Sequence, residues 1–154
     1  KVRPGIMRLI NELKEKGIRL GLVSSTSEVN LLNLFEKGLK IDHKQIFDIV
    51  AHGDSTPNKK PSPEIYEWAL EKLRLPSQAC IAIEDSPRGL DASLKANIST
   101  IVTPSILTLG EEFKGAKLVV SDLGEPDRAF ELIAGKDFGH KFVDTDLLSK
   151  IIDI

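Results

Sequence analysis

Two hydrophobic periodicities alternate along the chain. Pro4 stands where a first helical residue often stands, and Ile6, Leu9, Ile10 and Leu13 follow at helical spacing until Gly17. Ile18 to Val23 is then a short, mainly apolar run, bounded by Gly17 and by Ser24-Ser25-Thr26-Ser27, and it predicts a buried parallel strand. A second helix is predicted from Ser27 or Glu28, carrying Val29, Leu31, Leu32, Leu34 and Phe35. Ile46–Ala51 reads as a second strand and Gly53–Pro61 as a polar loop. Pro63 opens a third helix with Ile65, Tyr66, Trp68, Ala69, Leu70 and Leu73 on its apolar face. Ala79–Ile83 is the third strand, Ser86–Ala96 a helix and Ser99–Thr103 the fourth strand. Leu118–Val120 is a weaker fifth strand, with short helices near Arg128–Ile133 and from about Asp146 to Ile152. Such alternation predicts an α/β fold, a parallel sheet covered by helices on both faces.

Length and composition narrow this little. The chain has 154 residues, enough for one domain, 1–154, with a sizeable core. It is 41% hydrophobic and 29% charged, which argues against disorder. A net charge of -2 gives no reason to expect nucleic acid or an anionic membrane as partner. Cys80 is the only cysteine, so no disulfide framework exists, and its place beside Ile81-Ala82-Ile83 reads as a small buried filler. No apolar stretch is long enough to span a bilayer, and a cytoplasmic location is the default expectation.

Three polar features follow strands or sit in the loops after them, where ligands bind in open α/β sheets. Ser24 and Ser25 end the first strand. Hydroxyls there, with the N–H groups of a turn and a helix start, form a phosphate cradle; equally, Thr26 or Ser27 simply caps the next helix. Lys60, fixed between Lys59 and Pro61, offers a cation for phosphate, whereas Lys59 reads as solvated. Glu84 and Asp85 end the apolar run Ile81-Ala82-Ile83. Adjacent carboxylates there are costly unless compensated, and Mg2+, which prefers oxygen ligands, compensates them well. The alternative is that Asp85 or Ser86 caps the following helix. Together a hydroxyl, a lysine and an acidic pair specify a phosphoryl-transfer site built on positioning and electrostatics. Asp54 either faces this site or shapes its own turn. His43, His52 and His140 show no metal-ligand spacing, and Tyr66 and Trp68 read as core.

Leu22-Val23-Ser24, Lys60-Pro61 and Ile83-Glu84-Asp85-Ser86 resemble motifs two, three and four of the haloacid dehalogenase (HAD) superfamily. Arg3-Pro4-Gly5, Gly53-Asp54, Lys59-Lys60-Pro61-Ser62-Pro63-Glu64-Ile65-Tyr66 and Glu84-Asp85-Ser86-Pro87-Arg88-Gly89-Leu90 resemble its β-phosphoglucomutase and CbbY-like branch. The resemblance runs from Val2 to about Val120. It implies a Rossmann-like core, Mg2+ as cofactor, and a sugar phosphate or similar small phosphate ester as substrate. Carried over, Ser24 hydrogen-bonds the transferring phosphoryl group and Lys60 stabilises it. Asp85 ligates magnesium, with Glu84 as second ligand or orienting partner.

Two departures stand out. Arg88 occupies a position where many relatives carry a smaller polar residue. The family's opening Asp-x-Asp-Gly strand, with the phosphoryl-accepting Asp, and the cap that follows it do not appear. Phe142-Val143-Asp144-Thr145-Asp146 has the spacing, but a helix start capped by Asp144 or Thr145 explains it better. In the family the absent strand is central, between those ending in Ser24 and Glu84. The expectation is a truncated or processed chain whose central strand comes from an N-terminal segment or another chain. Direct pairing of those two strands would instead mark a different fold. A response-regulator receiver uses similar groups, but its acidic pair comes early and its Lys-Pro last. A phosphosugar mutase and a non-catalytic phosphate- and Mg2+-binding fragment are the other readings.

Overall fold

The computed structural model describes residues 2–152. Its elements run α1 (Ile6–Glu15), β1 (Gly21–Val23), α2 (Glu28–Asn33), β2 (Ile49–Ala51), α3 (Glu64–Leu73), β3 (Ile81–Glu84), α4 (Pro87–Lys95), β4 (Ser99–Val102), β5 (Leu118–Val120), β6 (Leu132–Gly135) and α5 (Thr145–Ile152). A π-helical turn, Leu34–Leu39, continues α2. The α/β architecture predicted from periodicity is the one observed.

Strands β1 and β2 pair in parallel, Gly21 opposite Ile49 and Val23 opposite Ala51. Strands β3, β4 and β5 form a second parallel set, with β6 antiparallel on its edge. Among the described residues no ladder joins β1 to β3. The direct pairing that would have indicated another fold is therefore not what these strands do.

The first predicted strand is shorter than its apolar run. Gly17 takes φ 69°, Ile18 N donates to Leu13 O (2.9 Å) and Gly17 N to Lys14 O (3.0 Å). That left-handed cap closes α1 and uses Ile18, which stays 46% exposed. At the other end of α1, Gly5 has φ 80°, and a Cβ there would meet Leu123 and the Gly124 carbonyl. Leu9 and Leu13, one turn apart, are thereby buried with Ile101, Leu118, Val120, Leu123, Val143, Leu147 and Ile151. A second cluster joins Ile65, Tyr66 and Ala69 of α3 to Ala51, Ala82, Ala92, Ala96 and Ile98.

The tail corrects one expectation. The segment predicted as a helix at Arg128–Ile133 instead leads into strand β6. Glu125 and Arg128 bond each other's backbone across a turn, Asp122 pairs with Arg128 at 2.8 Å, and Ser121 N donates to Glu131 O at 2.9 Å. These contacts fold the segment back along the edge of β5, where ladder bonds outweigh its helix-like spacing. Cys80 is half-buried rather than buried, packed beside the second cluster. Asp144 Oδ1 accepts from Leu147 N (2.8 Å), so the Asp-x-Asp segment is a helix cap.

Candidate active site

The two strand ends that matter are each freed by a capping serine. After β1, Ser27 Oγ accepts from Asn30 N (3.4 Å) and caps α2. Ser24 is left in the turn: its N donates to Ala51 O (2.9 Å) and its Oγ accepts from Thr26 N (3.1 Å). Its hydroxyl proton is thus available to a ligand. Ser25 lies in the same turn, its carbonyl against Gly53, where a Cβ would clash with it. Gly53 N donates to Thr26 O (2.7 Å), and Asp54 Oδ2 accepts from Glu28 N (3.1 Å). Asp54 therefore shapes this turn.

After β3, Ser86 Oγ accepts from Gly89 N (3.2 Å) and caps α4, with Pro87 in the first turn. Asp85 is relieved of that task. Its backbone carbonyl accepts from Thr108 Oγ1 (2.6 Å), while its exposed carboxylate has no hydrogen bond or ion pair among the described residues. Glu84 points the other way and is only 8% exposed.

Lys60 joins these ends. Its Nζ donates to Val23 O at 3.2 Å and to Glu84 Oε1 at 2.5 Å. Val23 immediately precedes Ser24, and Glu84 immediately precedes Asp85, so one ammonium spans the last residues of β1 and β3. The structure brings Lys60 and Glu84 into contact; it places Ser24 and Asp85 one residue beyond. Lys59 is exposed, and the Lys60–Pro61 peptide is cis. Arg88, also exposed, donates from Nη2 to Lys60 O at 2.5 Å, tying the lysine loop to α4.

Tyr66 belongs to this site, although its helical spacing marked it only as core. Its hydroxyl donates to Glu84 Oε1, the oxygen that Lys60 also holds. Its ring centroid lies 5.1 Å from Lys60 Nζ. Burial, reinforced by the Glu84 charge, pushes the phenol far above its ordinary pKa, so it remains a proton donor. The sequence held one signal: a phenol on α3 requires a polar partner once buried. A separate cleft, lined by Val2, Arg3, Pro4, Met7, Glu125, Asp127 and Arg128, lacks this chemistry. There Arg3 is occupied by the carbonyls of Thr103, Pro104 and Ser121 and Arg128 by Asp122.

An α/β core with a lysine bridging two strand ends, a free carboxylate beyond one and a hydroxyl beyond the other has the chemical groups to hold a phosphate. The haloacid dehalogenase-like hydrolase family model matches residues 1–103, and the chain belongs to that family. Within it, similarity runs to CbbY and β-phosphoglucomutase proteins. It is 41% identical to CbbY of Cupriavidus necator over 125 residues, 81% of this chain and 49% of that protein. A phosphorylated carbohydrates phosphatase of Thermotoga maritima is 35% identical over 101 residues, 66% of this chain and 45% of that protein. The crystal structure of Rhodobacter sphaeroides CbbY in complex with xylulose-(1,5)bisphosphate superposes with TM-score 0.75 at 42% identity, covering 78% of this chain and 53% of that one. The chain thus spans about half the length of the curated relatives it matches.

Proposed function

We propose that this chain carries the phosphate-handling part of a magnesium-dependent phosphatase acting on a sugar phosphate or similar small phosphate ester. The observation that carries the reading is Lys60, held between Val23 O and Glu84 Oε1 with its charge at the junction of β1 and β3. A preorganised cation there stabilises charge developing on a transferring phosphoryl group. Ser24 donates its free hydroxyl proton to the same group.

The donor set tests whether magnesium fits. Glu84 Oε1 is already taken by Lys60 and Tyr66, which suits an orienting partner better than a ligand. Asp85 is open and unpaired, and no three His, Cys, Asp or Glu side chains converge among the described residues. Magnesium commonly binds through one or two carboxylates plus water and phosphate, so the residues fit it with Asp85 as ligand. Bound there, the ion would neutralise phosphate charge.

An aspartyl-phosphate route needs an acceptor carboxylate near the unjoined ends of β1 and β3. A strand from the same protein or another chain, entering between those edges, would bring one. Substrate choice follows the relatives: one is a phosphatase of phosphorylated carbohydrates and one binds a pentose bisphosphate. A mutase differs only in passing the phosphoryl group to a sugar hydroxyl instead of water, and the similarity to β-phosphoglucomutase supports it second.

Calorimetric titration of this chain with inorganic phosphate, with and without Mg2+, tests the reading. Binding should require Mg2+ and vanish in both Asp85→Ala and Lys60→Ala, each verified as folded. Identical binding by all three proteins would remove these residues from the site.

A further inference from the structure

We propose that Tyr66 is a positioning residue for Lys60, acting through Glu84; its consequence for phosphate, though not its geometry, rests on the reading above. Glu84 Oε1 receives both the Tyr66 hydroxyl and the Lys60 ammonium. The other oxygen, Oε2, occupies the space in which a side chain on Gly89 would begin, since a Cβ built there overlaps it. The carboxylate is therefore held by a donor on α3 and lies in space that the missing side chain on α4 leaves open. Lys60 reads its position from that fixed anion and from Val23 O, 3.2 Å away, with the Tyr66 ring 5.1 Å from its Nζ. With side-chain exposures of 11% and 8%, Lys60 and Glu84 lie where water cannot freely replace a lost hydrogen bond.

Phenylalanine at position 66 preserves the ring and its packing and removes only the donor. The Glu84 carboxylate is then free to rotate, and Lys60 loses its fixed partner while the ring stays. This separates a positioning role from a packing role. Gly89→Ala reaches the same end independently: it displaces Oε2 while Tyr66 remains intact.

The test uses this chain, with side-chain NMR of Lys60 and titration with inorganic phosphate in Mg2+. In the wild type the Lys60 Hε resonances should carry a ring-current shift from Tyr66. In Tyr66→Phe and in Gly89→Ala they should move toward free-lysine values. Phosphate affinity should fall about tenfold in each, the order expected for one hydrogen bond to a charged group. Unmoved Lys60 resonances in Tyr66→Phe overturn the positioning role, whatever the affinity does. Resonances that move in a chain whose wild type binds no phosphate uphold the positioning role and overturn the phosphate reading instead.

Discussion

A buried ion pair is asymmetric in its energetics. Desolvating Lys60 and Glu84 is costly, and their attraction roughly offsets it while both are present. Removing one partner leaves the other charged and buried. Lys60→Met should therefore lower unfolding free energy by about 3–5 kcal/mol, measured by urea denaturation. Adding Glu84→Gln should restore a large part of it. A Lys60→Met variant as stable as the wild type would mean that water already reaches the pair. Residues of the candidate site were legible in the sequence in proportion to how little their placement depended on distant partners. Ser24, Lys60, Glu84 and Asp85 stand beside strand ends or a proline-fixed loop, where position along the chain announces chemistry. The capping ambiguities also resolved locally: Ser27 and Ser86 cap, freeing Ser24 and Asp85. Tyr66 was not legible. Its helical spacing with Ile65 and Ala69 accounts for its burial, and nothing local shows that its hydroxyl meets Glu84, 18 positions away.

At the scale of elements, long-range contacts decide what periodicity leaves open. Helix α5 is capped twice. Asp144 serves Leu147 N from within the segment, and Glu12 of α1 accepts from Thr145 N (2.9 Å) and Thr145 Oγ1 (2.7 Å). Burial alone would raise the Glu12 pKa, but the Thr145 hydrogen bonds and the charges of Lys16 and Arg8 bring it below its ordinary value. A carboxylate depressed in the folded state stabilises above its unfolded pKa and loses that contribution as pH falls through the folded one. Glu12→Ala should thus cost about 1 kcal/mol near neutrality. The difference from wild type should close below about pH 4 in pH-dependent thermal unfolding. A gap that persists in acid would assign the loss to packing. The helix Asp146–Ile152 was readable because its apolar stripe and its cap are both local. The segment Arg128–Ile133 was misread because Phe130, Leu132 and Ile133 mimic helical spacing, while its actual partner is the edge of β5.

Across the whole molecule the two sheets are held by unequal cores. The cluster under β4 and β5 is built from leucine, isoleucine and valine side chains of α1, α5 and the strands. The cluster reaching β1 and β2 is largely alanine: Ala51, Ala69, Ala82, Ala92 and Ala96, with Ile65, Tyr66 and Ile98. Alanine buries little apolar area, at about 25 cal/mol per Å². A two-stranded sheet is also marginal by itself. Among the described residues, Lys60 is the one whose side chain bonds the last residues of both β1 and β3. Opening of β1–β2 should therefore precede global unfolding. In native-state hydrogen exchange, the amides of Leu22 and Val23 should show lower opening free energies than those of Ile101, Val102 and Val119. Lys60→Met should lower the first group further and leave the ranking of the second intact. A strand that entered between β1 and β3 would pair with both edges. It should raise protection in Gly21–Val23 and Ile81–Glu84 together, because the same insertion completes both ladders. Uniform protection across all five parallel strands in the chain alone would show that α3 and Lys60 already couple the sheets into one cooperative unit. The junction that Lys60 bridges would then be rigid without any further strand.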